Sequence, residues 1–157
     1  VVLVHRDYHS RNLLVRPLGN PGVVDFQDAV LGPVSYDLVS LLKDCYIVWP
    51  RKRLLDWLDL YRAKAAAAGL EAGRDRGEFV QWFDRMGLQR HLKVLGIFAR
   101  LWHRDAKSGY LADLPRVLEY TLEASAAEPA LAEFDAFLRK RVVPAFATAA
   151  RRTGVPR

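Results

Sequence analysis

Short apolar runs separated by turn residues occupy the first 26 positions, and a helical period takes over from about residue 35. Val1-Val2-Leu3-Val4 reads as a buried strand. A polar stretch, His5 to Asn12, separates it from Leu13-Leu14-Val15. The cluster Pro17-Leu18-Gly19-Asn20-Pro21-Gly22 then separates that run from Val23-Val24-Asp25-Phe26. Two apolar runs around a Gly/Asn/Pro cluster predict an antiparallel hairpin with a turn longer than two residues. Gly32 and Pro33 mark a loop.

From Ser35 onward Leu38, Val39, Leu41, Leu42, Cys45 and Tyr46 share one helical face, with Ser35 or Asp37 as cap or first-turn acid. Pro50 fits the first turn of a second helix carrying Leu54, Leu55, Leu58 and Tyr61, which stops near Gly69. A polar link from Glu71 to Gly77 leads into a long helical stretch from about Glu78 to His103, with Gly87 a possible division. Pro115 opens a short helix over Arg116 to Ala124, and Pro129 a last one with Leu131, Phe134, Phe137 and Leu138. Thr153 to Arg157 read as a frayed end. A small β element followed by about five helices predicts an α+β fold or one part of a two-lobed protein. The expected organisation is residues 1–50 for the hairpin, its flanking loops and the first helix, 51–138 for a helical subdomain, and 139–157 for a basic helix end and tail.

Composition narrows the class. The chain has 157 residues, 51% hydrophobic and 27% charged, which suits a globular core and excludes a disordered or collagen-like chain. A single Cys45 excludes an intrachain disulfide and favours a reducing, cytoplasmic setting. No apolar run approaches about 18 residues, and no basic-then-apolar leader is visible. The net charge of +6 would suggest nucleic acid, but Arg139, Lys140, Arg141, Arg151, Arg152 and Arg157 supply all of it. The preceding 138 residues hold equal numbers of each sign, so the excess belongs to the tail.

The chemistry concentrates in His5-Arg6-Asp7-Tyr8-His9-Ser10-Arg11-Asn12 and Asp25-Phe26-Gln27-Asp28. Asn12 precedes the first hairpin strand and Asp25 lies near the end of the second, so the hairpin sets them side by side at its open end. An amide oxygen beside a carboxylate suits Mg²⁺, which takes one or two protein ligands and fills its other positions with water and phosphate. Asp7, on the loop feeding the hairpin, is then placed to point at a hydroxyl near the metal-bound phosphate. Phosphoryl transfer requires those parts: a base for the nucleophile and a metal for the phosphoryl charge.

The pattern H-x-D-x-x-x-x-N, hairpin, D-F-x resembles the catalytic and metal-binding loops of the protein-kinase-like superfamily, in its aminoglycoside phosphotransferase and choline kinase branch. The strings Leu3 to Leu13, Val24 to Ala29, Gly32 to Leu42 and Gly87 to Lys93 are similar to a narrower group, the bacterial anomeric kinases of N-acetylmuramate and N-acetylglucosamine, which serve cell-wall recycling. The resemblance runs through most of residues 1–124. It implies the mostly helical C-terminal lobe of a kinase-like fold, with Asp7 as catalytic base and Asn12 and Asp25 holding Mg²⁺ and, through it, ATP. It also implies that His5 braces the loop and that Asp37 is a structural acid tying the following helix to it. Asp28 matches a recurrent position without an assigned role at the metal.

Gln27 stands where protein kinases have Gly, and about ten residues separate Asp25 from the next helix, which leaves no room for a peptide-holding activation segment. A Gly-rich phosphate loop and a strand lysine are missing, so the chain reads as the back half of a kinase, inactive by itself and a monomer when intact. Residues 78–119 hold seven cations against five acids, a poor lining for a polycationic aminoglycoside and a better one for an N-acetyl sugar. His9, Arg90, His91 and Arg104 are the candidate sugar contacts, although His9 and His91 read first as ordinary loop and helix-surface residues. Trp57, Trp82, Phe83, Phe98 and Trp102 read as core, with Trp82 or Trp102 favoured if a sugar stacks. His103-Arg104-Asp105 lacks the hairpin and Asn of the first triplet and reads as a charged helix end. Two alternatives remain: an aminoglycoside or other amino-alcohol phosphotransferase, and a non-catalytic helical module holding nucleic acid through its basic tail. Neither a membrane nor nucleic acid is an expected partner of the kinase.

Overall fold

The computed structural model describes residues 1–45, 47–73 and 75–153. The expected helical position of Tyr46, the fraying of residues 154–157 and the Arg157 charge lie outside the described residues. The chain groups into two compact units, Val1–Met86 and Gly87–Arg157. It is mostly helical with two small antiparallel strand pairs, as expected for the helical lobe of a kinase-like fold.

In the first unit the described strands are β1 (Val2–Val4), β2 (Leu13–Leu14), β3 (Gly22–Val23) and β4 (Val30–Gly32). The hairpin is present as β2 against β3, with Leu13 opposite Val23. Its connection is held by Asn20, whose Oδ1 accepts the Arg16 N–H at 3.2 Å, and by Gly19 at a φ of 65°. The segment expected to be a loop at Gly32 is instead a strand, because β4 pairs with β1 in the register Val2 to Gly32 and Val4 to Val30. Glycine is needed there: a Cβ at Gly32 would lie 2.8 Å from Val4 Cγ2. The expectation of a wholly buried first strand also fails. Val4 is 2% exposed but Leu3 is 73% exposed, because alternate side chains of a strand face opposite ways and only one face of this pair meets the core.

The first helix is shorter than its apolar period suggested: α1 spans Tyr36–Leu42, and Cys45 lies beyond it. Next, α2 (Arg51–Ala67) starts after Pro50 and ends in a Schellman cap. There Leu70 N–H reaches Ala65 O at 2.9 Å and Gly69 N–H reaches Ala66 O at 3.0 Å, with Gly69 at a φ of 71°. Asp75 Oδ1 accepts the Glu78 N–H at 2.8 Å and so caps α3 (Arg76–Asp105), which runs through Gly87 without a break. The core of this unit gathers Val34, Val39 and Leu42 with Leu54, Leu58, Phe79 and Phe83. Each such aliphatic or aromatic side chain contributes about 2 kcal/mol through removal from water.

In the second unit α4 (Leu114–Ala126), α5 (Ala132–Phe137) and α6 (Val143–Thr153) follow, with Pro115 in the first turn of α4. Buried Leu111, Val117, Leu118 and Leu138 form its interior. The basic segment expected to be a helix end stays helical: a π-turn, Leu138–Val142, joins α5 to α6. Pro144 has no N–H for the carbonyl four residues back, and the widened turn just before it relaxes the ladder there. Among the described residues, no helix is long and apolar enough to cross a membrane.

Candidate active site

The loop between β1 and β2 is built on Asp37, in the first turn of α1. Its Oδ2 accepts the His5 N–H at 2.6 Å and its Oδ1 the Arg6 N–H at 3.0 Å. Arg6 sits at a φ of 76°, a left-handed conformation that non-glycine residues rarely adopt. The turn this produces sends the chain into Asp7. The Asp7 carbonyl then accepts the His9 N–H at 3.0 Å and Asn12 Nδ2 at 2.9 Å. Half-buried Asp7 is therefore anchored by its backbone, and among the described residues no hydrogen bond or ion pair engages its carboxylate.

Asn12 connects the two sides of the site. Its Nδ2 also lies 3.4 Å from Asp25 Oδ2, and its carbonyl accepts the Val24 N–H at 3.1 Å as the hairpin opens. With the amide nitrogen committed to the Asp7 carbonyl, the amide oxygen is left as a free acceptor. Asp25 lies at a φ of 65°, exposed, and Gln27 Nε2 donates to its Oδ1 at 2.6 Å. His5 Nε2 lies 3.0 Å from the Val24 carbonyl, which can only accept, so Nε2 donates there, and the buried Nδ1 has no hydrogen-bond partner among the described residues. The His5 ring meets Tyr8 edge-on at 5.9 Å.

Thus His5, Asp7, Asn12, Asp25 and Asp37 come together, with His9 half-buried on the same loop. Asp28 is exposed, and its carbonyl accepts Arg6 Nη1 at 3.4 Å. The other candidate contacts belong to the second unit. His91, expected at a helix surface, is 2% exposed with its ring stacked on Tyr120 at 4.9 Å. The helical period allowed either face, and packing against Tyr120 decides it. Arg90 is half-buried, and exposed Arg104 is paired with Asp105 at 2.8 Å at the end of α3.

Two polar contacts of the first unit, one of them on the loop, had no signal in the sequence. Ser10 Oγ donates to buried Asp44 at 2.8 Å. Farther along α3, Asp84 receives Lys43 at 2.9 Å and Arg51 at 2.6 Å. Burial pushes the Asp84 carboxyl up, but hydrogen bonds and charge from Arg51 and Lys43 outweigh it and hold the group below the usual carboxylate range. These partners lie more than thirty positions apart, beyond the reach of any local pattern.

Residues 1–80 match the model of a family described as the phosphotransferase enzyme family. The chain belongs to this family. It is 52% identical over 132 residues to the N-acetylmuramate/N-acetylglucosamine kinase of Pseudomonas putida, covering 84% of this chain and 39% of that relative. A protein of the same name from Neisseria meningitidis serogroup B is 51% identical over 137 residues, 87% of this chain and 41% of the relative. One from Caulobacter vibrioides is 37% identical over 145 residues, 90% and 38%. The chain spans about two fifths of the length of these curated relatives.

Proposed function

We propose that the intact protein is an ATP-dependent sugar kinase that phosphorylates the anomeric hydroxyl of N-acetylmuramate or N-acetylglucosamine. The observation that carries this reading is the double engagement of Asn12, whose side chain joins the backbone of Asp7 to the carboxylate of Asp25. A base and a pair of oxygen ligands are then held in one fixed relation, which phosphoryl transfer needs and an ordinary polar loop does not.

The donor set fits a magnesium ion: one amide oxygen and one carboxylate, too few protein ligands for a closed structural site and enough for an ion shared with phosphate. When bound, Mg²⁺ would neutralise charge on the transferring phosphoryl oxygens. Asn12 and Asp25 would hold it. Asp7 orients the acceptor hydroxyl and takes its proton as the new oxygen–phosphorus bond forms and the bond to the ADP oxygen breaks. Asp37 and His5 keep Asp7 and Asp25 in register through the backbone.

The test is to incubate the intact protein with ATP, Mg²⁺ and each sugar and to follow phosphorus NMR. A sugar 1-phosphate with an equal yield of ADP is expected. No phosphorylated product from either sugar would sink the assignment.

A further inference from the structure

Asn12, which joins Asp7 to Asp25, ends a single 3₁₀ turn, Ser10–Asn12, and its N–H donates to the His9 carbonyl at 2.9 Å. The Leu13 N–H closes the turn onto the Ser10 carbonyl. So short a turn makes too few backbone bonds to hold its own shape in water. The contact from Asn12 to Asp25 adds little, because 3.4 Å is at the far edge of hydrogen-bonding range. The restraint comes from outside the loop: Ser10 Oγ donates to Asp44 Oδ2 at 2.8 Å, across 34 positions of sequence.

Asp44 is 5% exposed and lies just beyond the last turn of α1. A carboxylate buried to that degree needs donors, since leaving its oxygens unmet costs more than a bond between exposed groups would gain. Asp37 sits at the other end of α1, a helix of seven residues and so about 10 Å long. It takes the His5 and Arg6 N–H groups where the loop begins, and Asp44 takes Ser10 where the loop ends. One short helix is therefore fastened to the loop on both sides of Asp7. The first fastening sets the Arg6 turn, and the second sets the turn that carries Asn12.

We propose that Asp44 is a positioning residue: through Ser10 it keeps Asn12 beside Asp25, so that losing the bond weakens metal binding and leaves sugar binding alone. The inference rests on the kinase reading for its metal and nucleotide but not on the identity of the sugar. The probe is Mn²⁺, which takes the same oxygen donors as Mg²⁺. It is titrated into the intact protein with a non-hydrolysable ATP analogue, and the free ion is followed by electron paramagnetic resonance. Ser10→Ala is expected to weaken Mn²⁺ binding about fivefold, the scale of one hydrogen bond, with KM for the sugar unchanged. Asp44→Asn still offers an oxygen to Ser10 and is expected to retain most of the affinity. Asp44→Ala should match Ser10→Ala, and the double variant should lose no more than either alone. Circular dichroism checks folding, and Ser10→Ala with Asp44→Asn carries the test if the buried Asp44→Ala does not fold. Unchanged Mn²⁺ affinity in a folded Ser10→Ala, even with a lower urea midpoint, would make the bond merely structural and overturn the proposal. Losses that add in the double variant would also overturn it. Ser10-dependent Mn²⁺ binding without sugar phosphorylation would uphold the positioning role and sink the sugar-kinase reading. Sugar phosphorylation with Mn²⁺ affinity untouched by Ser10→Ala would do the reverse, and a wild type that binds no Mn²⁺ with the analogue would overturn both.

Discussion

Asp37 accepts the backbone N–H of Arg6 at 3.0 Å while Arg6 is held at a φ of 76°. A side-chain-bearing residue in that region costs on the order of 1 kcal/mol or more, so the surroundings must supply the compensation. The Asp37 carboxylate does so by taking the N–H groups of both His5 and Arg6, one on each oxygen. Asp37→Asn keeps the size but offers a single acceptor to two donors, leaving one part-buried N–H facing an amide NH₂. The expected loss is about 2 kcal/mol of stability, read as a lower urea midpoint. Turnover should fall with it, since the Arg6 turn positions Asp7. A midpoint equal to that of the wild type would show that the fork contributes nothing.

Asp7 differs from Asp37 because its carboxylate has no partner among the described residues while its carbonyl has two. Asp7→Asn should therefore leave the fold and the thermal midpoint essentially unchanged. It should lower kcat about a thousandfold in the intact protein, within the range for loss of a positioned general base. KM for the sugar should hardly move. A variant with near-normal kcat would remove Asp7 from the role of base.

Local pattern made part of this arrangement legible. The hairpin follows from Leu13, Leu14 and Val23 flanking a Gly/Asn/Pro cluster, and its geometry brings Asn12 toward Asp25. The antiparallel pairing of β1 with β4 was hidden, because Gly32 followed by Pro33 has the composition of a turn and only the close approach of Val4 explains the glycine. Ser10 with Asp44 and Lys43 with Asp84 were hidden for another reason: each pair is closed by tertiary packing across more than thirty residues. Trp57 was legible as a helix-face aromatic and so as core, and it packs against the core while staying half-buried.

The packing of α2 predicts opposite outcomes for two neighbouring leucines. Leu58 is fully buried among Val39, Leu54, Phe79 and Phe83, whereas Leu60 is 55% exposed. Leu58→Ala should cost about 3 kcal/mol, from lost burial and the cavity left behind. Leu60→Ala should stay within about 0.5 kcal/mol, as surface changes do. Denaturant titration of the two variants checks this, and equal losses would show that the face of α2 turned to the core has been misassigned.

The Asp84 cluster gives the stability of the first unit a defined acid limit. Burial raises the Asp84 carboxyl, but the hydrogen bonds and charges of Arg51 and Lys43 win, and the folded-state value lies below the unfolded one. The folded state therefore holds this proton less tightly than the unfolded chain does. The stabilisation is fully present above the unfolded carboxylate value of about 3.9 and is lost as pH falls through the lower folded value. Replacing the residue by Asp84→Asn removes the carboxylate that Lys43, only 10% exposed, meets at 2.9 Å. The expected loss at pH 7 is about 2 kcal/mol, less than for a fully buried pair because Arg51 is half-exposed. The difference between wild type and Asp84→Asn should stay constant from pH 7 down to about pH 5 and close only below about pH 4. Urea titrations at stepped pH measure it, and a difference that grew on acidification would contradict the sign of the linkage.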